Sequence, residues 1–165
     1  MSRRWGALFA AAILLASCSK PEPPTVTPRS ARIAAISPSA IVLALELDVR
    51  NPNSFPLVFR AVSGSLELGN GIELGRGRAV TNGSIPAKGS SVVPTELSVS
   101  WTNVAALAPL AASPSPVPYA FRGTATIGGE NLNVDLPFVV EGELTREQVL
   151  QAGLRGLGSI GLPLQ

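Results

Sequence analysis

From Ile41 to Arg50 the chain alternates without a break. Ile41, Leu43, Leu45, Leu47 and Val49 fall on one side, and Val42, Ala44, Glu46, Asp48 and Arg50 on the other. Neighbouring strand residues point to opposite faces of a sheet, so a strict period of two with every charge on one side predicts a half-buried strand. The rest of the chain must supply a core for that apolar face.

Further runs of the same kind follow. Leu57, Phe59 and Ala61 alternate with Val58, Arg60 and Val62, and Leu66-Glu67-Leu68 leads into Gly69-Asn70-Gly71. Asn-Gly between alternating runs signals a hairpin, because both turn positions accept positive φ; Ile72-Glu73-Leu74 is then the return strand. Asn82-Gly83 reads as a second turn, between Ala79-Val80-Thr81 and Ser84-Ile85. Ser91 to Trp101 alternates with Val93, Leu97, Val99 and Trp101 inward, and Pro94 in that run predicts an edge position or a bulge. Tyr119 to Ile127, Gly128-Gly129 and Leu132 to Leu136 form a closing hairpin. Two stretches break the pattern: Asn103 to Ala112 predicts a short helix ended by Pro114, Pro116 and Pro118, and Thr145 with Gln148 resembles a capping box opening another. The Gly-rich tail beyond Gly153 is expected to fray. With 16 Gly and 15 Pro among 165 residues, 45% of them hydrophobic, the expected fold is all-β: an antiparallel two-sheet sandwich with one or two short helices.

The N-terminus carries a different signal. Met1-Ser2-Arg3-Arg4 is cationic, Trp5 to Ala16 is uncharged, and Ser17-Cys18 ends the run. That apolar stretch is shorter than the roughly 18–20 residues of a spanning helix and fits the core of a secretory signal. Leu15-Ala16-Ser17-Cys18 resembles the bacterial lipobox, which implies cleavage between Ser17 and Cys18 and lipid on the new N-terminal Cys18. Residues 1–17 are then the signal peptide. Residues 18–30, with Pro21, Pro23, Pro24 and Pro28, form a Pro-rich tether. About ten residues of it in polyproline II at ~3.1 Å each give a reach of roughly 30 Å. Ser19 is not the Asp associated with inner-membrane retention in some bacteria, which directs the expectation to the periplasmic face of the outer membrane. The folded domain is expected over 31–144, with a short helix and tail over 145–165.

Cleavage also changes the charge. The precursor has 13 Lys and Arg against 11 Asp and Glu. Losing Arg3 and Arg4 leaves 11 against 11, so the basic precursor gives no argument for nucleic-acid binding. The chain has no His, which excludes a Ser-His-Asp triad and His-ligated zinc. Its one Cys excludes an internal disulfide and multi-Cys clusters.

Candidate chemistry is sparse. Gly69, Gly71, Gly75 and Gly77 miss the phosphate-loop spacing and precede a strand rather than a helix. Ser17-x-x-Lys20 would be cut by signal cleavage, and Lys88 reads as a solvated loop lysine. Glu141 and Glu143 share a strand face but need an enclosing cleft to act as paired acids, so a solvated outer face is their expected setting. No catalytic residue, metal site or cofactor is assigned.

Asn51-Pro52-Asn53 directly follows the long alternating strand, and Phe55-Pro56-Leu57 follows it in turn. Together these resemble the signature of the late embryogenesis abundant type 2 family, also called the water-stress and hypersensitive-response (WHy) domain. Ile85-Pro86-Ala87, the strand from Val92 to Trp101, and Tyr119 with Gly123 extend the resemblance in order over roughly 31–144. From the residues themselves, Pro52 ends strand pairing and the Asn side chains satisfy local backbone groups. The resemblance implies an immunoglobulin- or fibronectin III-like sandwich, no catalytic residues, and a role in desiccation and related stress. The first expectation is a non-enzymatic, membrane-anchored envelope lipoprotein that shields client proteins or membrane by weak contacts. The alternative is an adaptor of an envelope complex that uses a sandwich edge or face.

Overall fold

The computed structural model describes residues 20–37, 39–69, 71–102, 115–130, 132–145 and 147. Seven strands make up the fold: β1 (Thr25–Ile36), β2 (Ala40–Arg50), β3 (Leu57–Leu68), β4 (Ile72–Ile85), β5 (Ser90–Trp101), β6 (Val117–Gly128) and β7 (Asn133–Leu144). They form one antiparallel sheet in the order β1-β2-β5-β4-β3-β6-β7. The sheet curls until its two edge strands, β1 and β7, lie against each other, giving a nearly closed barrel.

The antiparallel all-β expectation holds. The division into two separate immunoglobulin-like sheets is not what the pairing shows, and the reason is a short seam. β4 and β5 are ladder partners only where Gly75, Arg76 and Gly77 meet Trp101, Ser100 and Val99. A Cβ on Gly75 would lie 1.8 Å from the Ser100 carbonyl oxygen, and one on Gly77 2.4 Å from that of Ser98. Two residues without side chains therefore let the backbones close, and the seam joins what would otherwise be two layers.

The alternating faces fall as the sequence predicts except at Val62, which the register shift between Phe59 and Ala61 turns inward beside Ala61. Ile41, Leu43, Leu45, Leu47 and Val49 are all buried, as are Leu57, Phe59, Val93, Leu97 and Val99; Trp101 is half-buried and donates from its indole Nε1 to the Ser37 carbonyl at 3.0 Å. Phe121 and Phe138 pack with ring centroids 6.0 Å apart. A Cβ on Gly123, between them, would come within 2.5 Å of the Phe138 ring. Pro94 pairs with Glu46 without a register shift, on a stretch of β5 that β4 does not pair, so its position is an edge and not a bulge.

Two further expectations change. Asn82-Gly83 is no hairpin turn: β4 runs through it. Phe59 pairs with Gly83 and Ala61 with Val80, so the extra residues form a bulge opposite Arg60. Secondly, β1 begins at Thr25, so Thr25 to Ser30, assigned above to the tether, belong to the sheet. The helix expected at 103–112 lies outside the described residues, and of the one opening at Thr145 only Thr145 and Glu147 are described. The hairpin expected between β3 and β4 stands, with Leu68 opposite Ile72 and φ of 60° and 85° at Gly69 and Gly71.

Candidate functional site

The polar centre of the molecule is Asn51-Pro52-Asn53, between β2 and β3. Buried Asn is uncommon unless every polar atom finds a partner. Asn51 is 1% exposed and Asn53 6%. The Asn51 amide donates to the carbonyls of Phe55 (2.7 Å) and Pro86 (3.2 Å). Its Oδ1 accepts from the Asn53 backbone N–H at 2.9 Å and from the Asn53 Nδ2 at 3.0 Å. Asn53 in turn treats Glu22 as a strand partner: Nδ2 donates to the Glu22 carbonyl and Oδ1 accepts the Glu22 N–H, both at 2.8 Å.

The turn between β4 and β5 is tied to the same point. Asn51 N–H donates to Gly89 O and Lys88 N–H to Asn53 O, each at 2.8 Å. Lys88 has φ 53°, and its ammonium donates to the Pro52 carbonyl. The lysine read above as merely solvated is exposed, yet it caps the motif. Two side-chain amides and one lysine thus bind together the N-terminal segment, the β2–β3 link and the β4–β5 turn at one end of the barrel. This is positioning chemistry, with no group set to exchange a proton or attack a substrate.

The opposite end carries a shallow, open hollow of about 720 Å³. Glu67, Arg122, Glu141 and Glu143 border it, with Gly69, Gly71 and Pro118 among its walls. Arg122 Nε lies 3.2 Å from Glu67 Oε2. Glu141 and Glu143 do share the outer face of β7, and both are exposed, the solvated setting expected for them. Nearby, Arg76 holds the Glu73 carboxyl below its ordinary range by a direct hydrogen bond at 2.8 Å, and Glu73 raises Arg76 in return. Among the described residues no three His, Cys, Asp or Glu side chains gather as a metal site.

Tyr119 crosses from β6 toward β1. Its ring lies in space left by Gly142, where a Cβ would be 2.7 Å from the hydroxyl, and its O–H donates to the Ala31 carbonyl at 3.4 Å. Burial raises its pKa above the ordinary value of 10.0. Thr95 Oγ1 is the one buried side-chain polar atom without a partner among the described residues. Neither role had a signal in sequence: both depend on strands brought together from distant parts of the chain. Ser17 and Cys18 lie outside the described residues.

Residues 46–142 match the model of the late embryogenesis abundant protein family, LEA_2. No curated protein matches the chain. A solution structure from Arabidopsis thaliana superposes with a TM-score of 0.59 at 19% identity, covering 76% of this chain and 82% of that one. A crystal structure of a protein from Archaeoglobus fulgidus gives 0.50 at 16% identity, covering 76% and 97%. At these identities the likeness is one of fold.

Proposed function

Because the chain belongs to the late embryogenesis abundant protein family LEA_2, we propose that it is a non-enzymatic envelope lipoprotein that protects proteins or membrane during desiccation or related stress. The family match over 46–142 carries this reading, since the family is associated with stress and is generally non-enzymatic. In this proposal the signal is cut between Ser17 and Cys18, lipid on Cys18 holds the domain on the periplasmic face of the outer membrane, and clients are met by weak surface contacts. Several acyl chains, each adding about 0.8 kcal/mol per buried CH₂, would make such an anchor stable. Both edge strands contain proline, Pro28 in β1 and Pro137 in β7, and β1 is twice shifted in register. Such devices discourage strand addition and weigh against the adaptor alternative.

Two experiments test the proposal. Residues 19–165, mixed with a labile enzyme and dried or freeze-thawed, should preserve activity better than an equal mass of an unrelated β-sandwich; equal protection would overturn the shielding role. Growth with a radiolabelled fatty acid should label the wild-type chain and leave Cys18→Ser unlabelled. A labelled Cys18→Ser chain, or an unlabelled wild type, would overturn the anchor.

A further inference from the structure

The barrel end that carries Asn51-Pro52-Asn53 also receives the N-terminal segment. Before β1 begins at Thr25, Pro24 is buried and Glu22 is pinned through both its N–H and its C=O by the Asn53 amide. The chain before β1 is therefore docked on the domain as far back as Glu22. An extended chain advances at most about 3.6 Å per residue, so the four steps from Cys18 to Glu22 reach about 14 Å at most. That is about half the reach expected from composition, where the whole of 18–30 was free.

Resting on the reading that Cys18 carries lipid, we propose that this end of the barrel sits at the headgroup surface of the bilayer, in one orientation. The charge agrees with the geometry. Lys20, Arg50 and Lys88 are exposed here, and the Arg60 guanidinium lies beside Gly128 at the same end; Glu22, Asp48, Glu130 and Asp135 balance them. The far end is acidic: Glu67, Glu73, Glu141 and Glu143 stand against Arg76 and Arg122, which are already paired with Glu73 and Glu67. The short link selects the near face, and the acidic far end does not compete with it for anionic headgroups.

The test uses the mature chain, residues 18–165, isotope-labelled and coupled through Cys18, its single cysteine, to a maleimide lipid in nanodiscs. The discs are phosphatidylcholine with or without phosphatidylglycerol, doped with a gadolinium-chelating lipid. Chemical coupling supplies the anchor whether or not a cell does, so the result judges the orientation alone and the fatty-acid labelling judges the lipoprotein reading. In both kinds of disc, amides of 51, 53–55 and 87–89 should lose most of their intensity while those of 71–72 and 101–102 keep theirs. A long Gly-Ser insert after Ser19 should bring the two ends toward equal losses in neutral discs. Equal losses at both ends with the native link, or greater losses at 71–72, would overturn the proposal. A contrast left undiminished by the insert in neutral discs would overturn the role of the short link.

Discussion

Replacing Asn51 by Ala tests whether the polar knot holds the barrel end together. The substitution removes two donated and two accepted hydrogen bonds, leaving Phe55 O, Pro86 O, and the N–H and side-chain amide of Asn53 short of a partner. Each lost bond costs about 1 kcal/mol net, more where the orphaned group stays dry. The site is 1% exposed at Asn51, but the vacated space admits some water, so about 3 kcal/mol is the expected loss. Unfolding entropy is about 2.1 cal/mol/K per residue, so a body of roughly 120 residues, Thr25 to Leu144, carries about 0.25 kcal/mol/K. The melting temperature should therefore fall by about 12 °C, read by far-ultraviolet circular dichroism and checked by urea unfolding. Asn51→Asp keeps the shape but sets a carboxylate against the Phe55 and Pro86 carbonyls, and at neutral pH should cost at least as much. A fall under about 4 °C for Asn51→Ala, equivalent to about 1 kcal/mol, would refute the claim that this polar knot holds the barrel end together.

Other perturbations read different parts of the structure. Thr95→Val removes the unpartnered hydroxyl at nearly constant volume and should stabilise by up to about 1 kcal/mol in urea titrations; a loss of stability would show that the hydroxyl is satisfied. Gly75→Ala must part β4 from β5 at Ser100, and should destabilise by about 2 kcal/mol or more with faster amide exchange at Val99 to Trp101. Exchange as slow as in the wild type would argue against the seam. The raised Tyr119 pKa means that the unfolded chain releases this proton first, so its contribution is complete below pH 10 and declines as pH rises through the higher folded value. Stability should thus fall above pH 10, and Tyr119→Phe should flatten that fall; an identical slope in the variant would assign it to other groups.

The β2 strand and the core it faces were legible because strict alternation maps directly onto two faces. The same logic failed at Asn82-Gly83, whose composition suits a bulge as well as a turn, and only the pairing partner Arg60 decides between them. β1 was hidden for a related reason. Pro28 and two register shifts break its alternation, so composition pointed to a tether. Asn51 and Asn53 stood out as a motif, and local satisfaction of backbone groups was foreseeable from Asn chemistry. Their bonds to Glu22 and Pro86 were not, because those partners lie 31 and 35 residues away and contribute only main-chain atoms. Gly75 and Gly77 offered a sequence signal that admitted several meanings until the Ser98 and Ser100 carbonyls were seen beside them.

Outside their own pair, the two Asn side chains grip peptide groups alone: Phe55 O, Pro86 O, and the N–H and C=O of Glu22. A peptide carbonyl is the same whatever residue bears it. Position 22 can therefore change identity without disturbing those bonds, and so can the exposed Ser54, whereas the Phe55 ring also packs against the core. The architecture of that end is held by the two Asn side chains and Lys88, while the texture it presents to its surroundings is left open to drift or to design. An engineer wishing to give this barrel a new binding face would begin there, grafting side chains onto a frame whose fasteners do not read them.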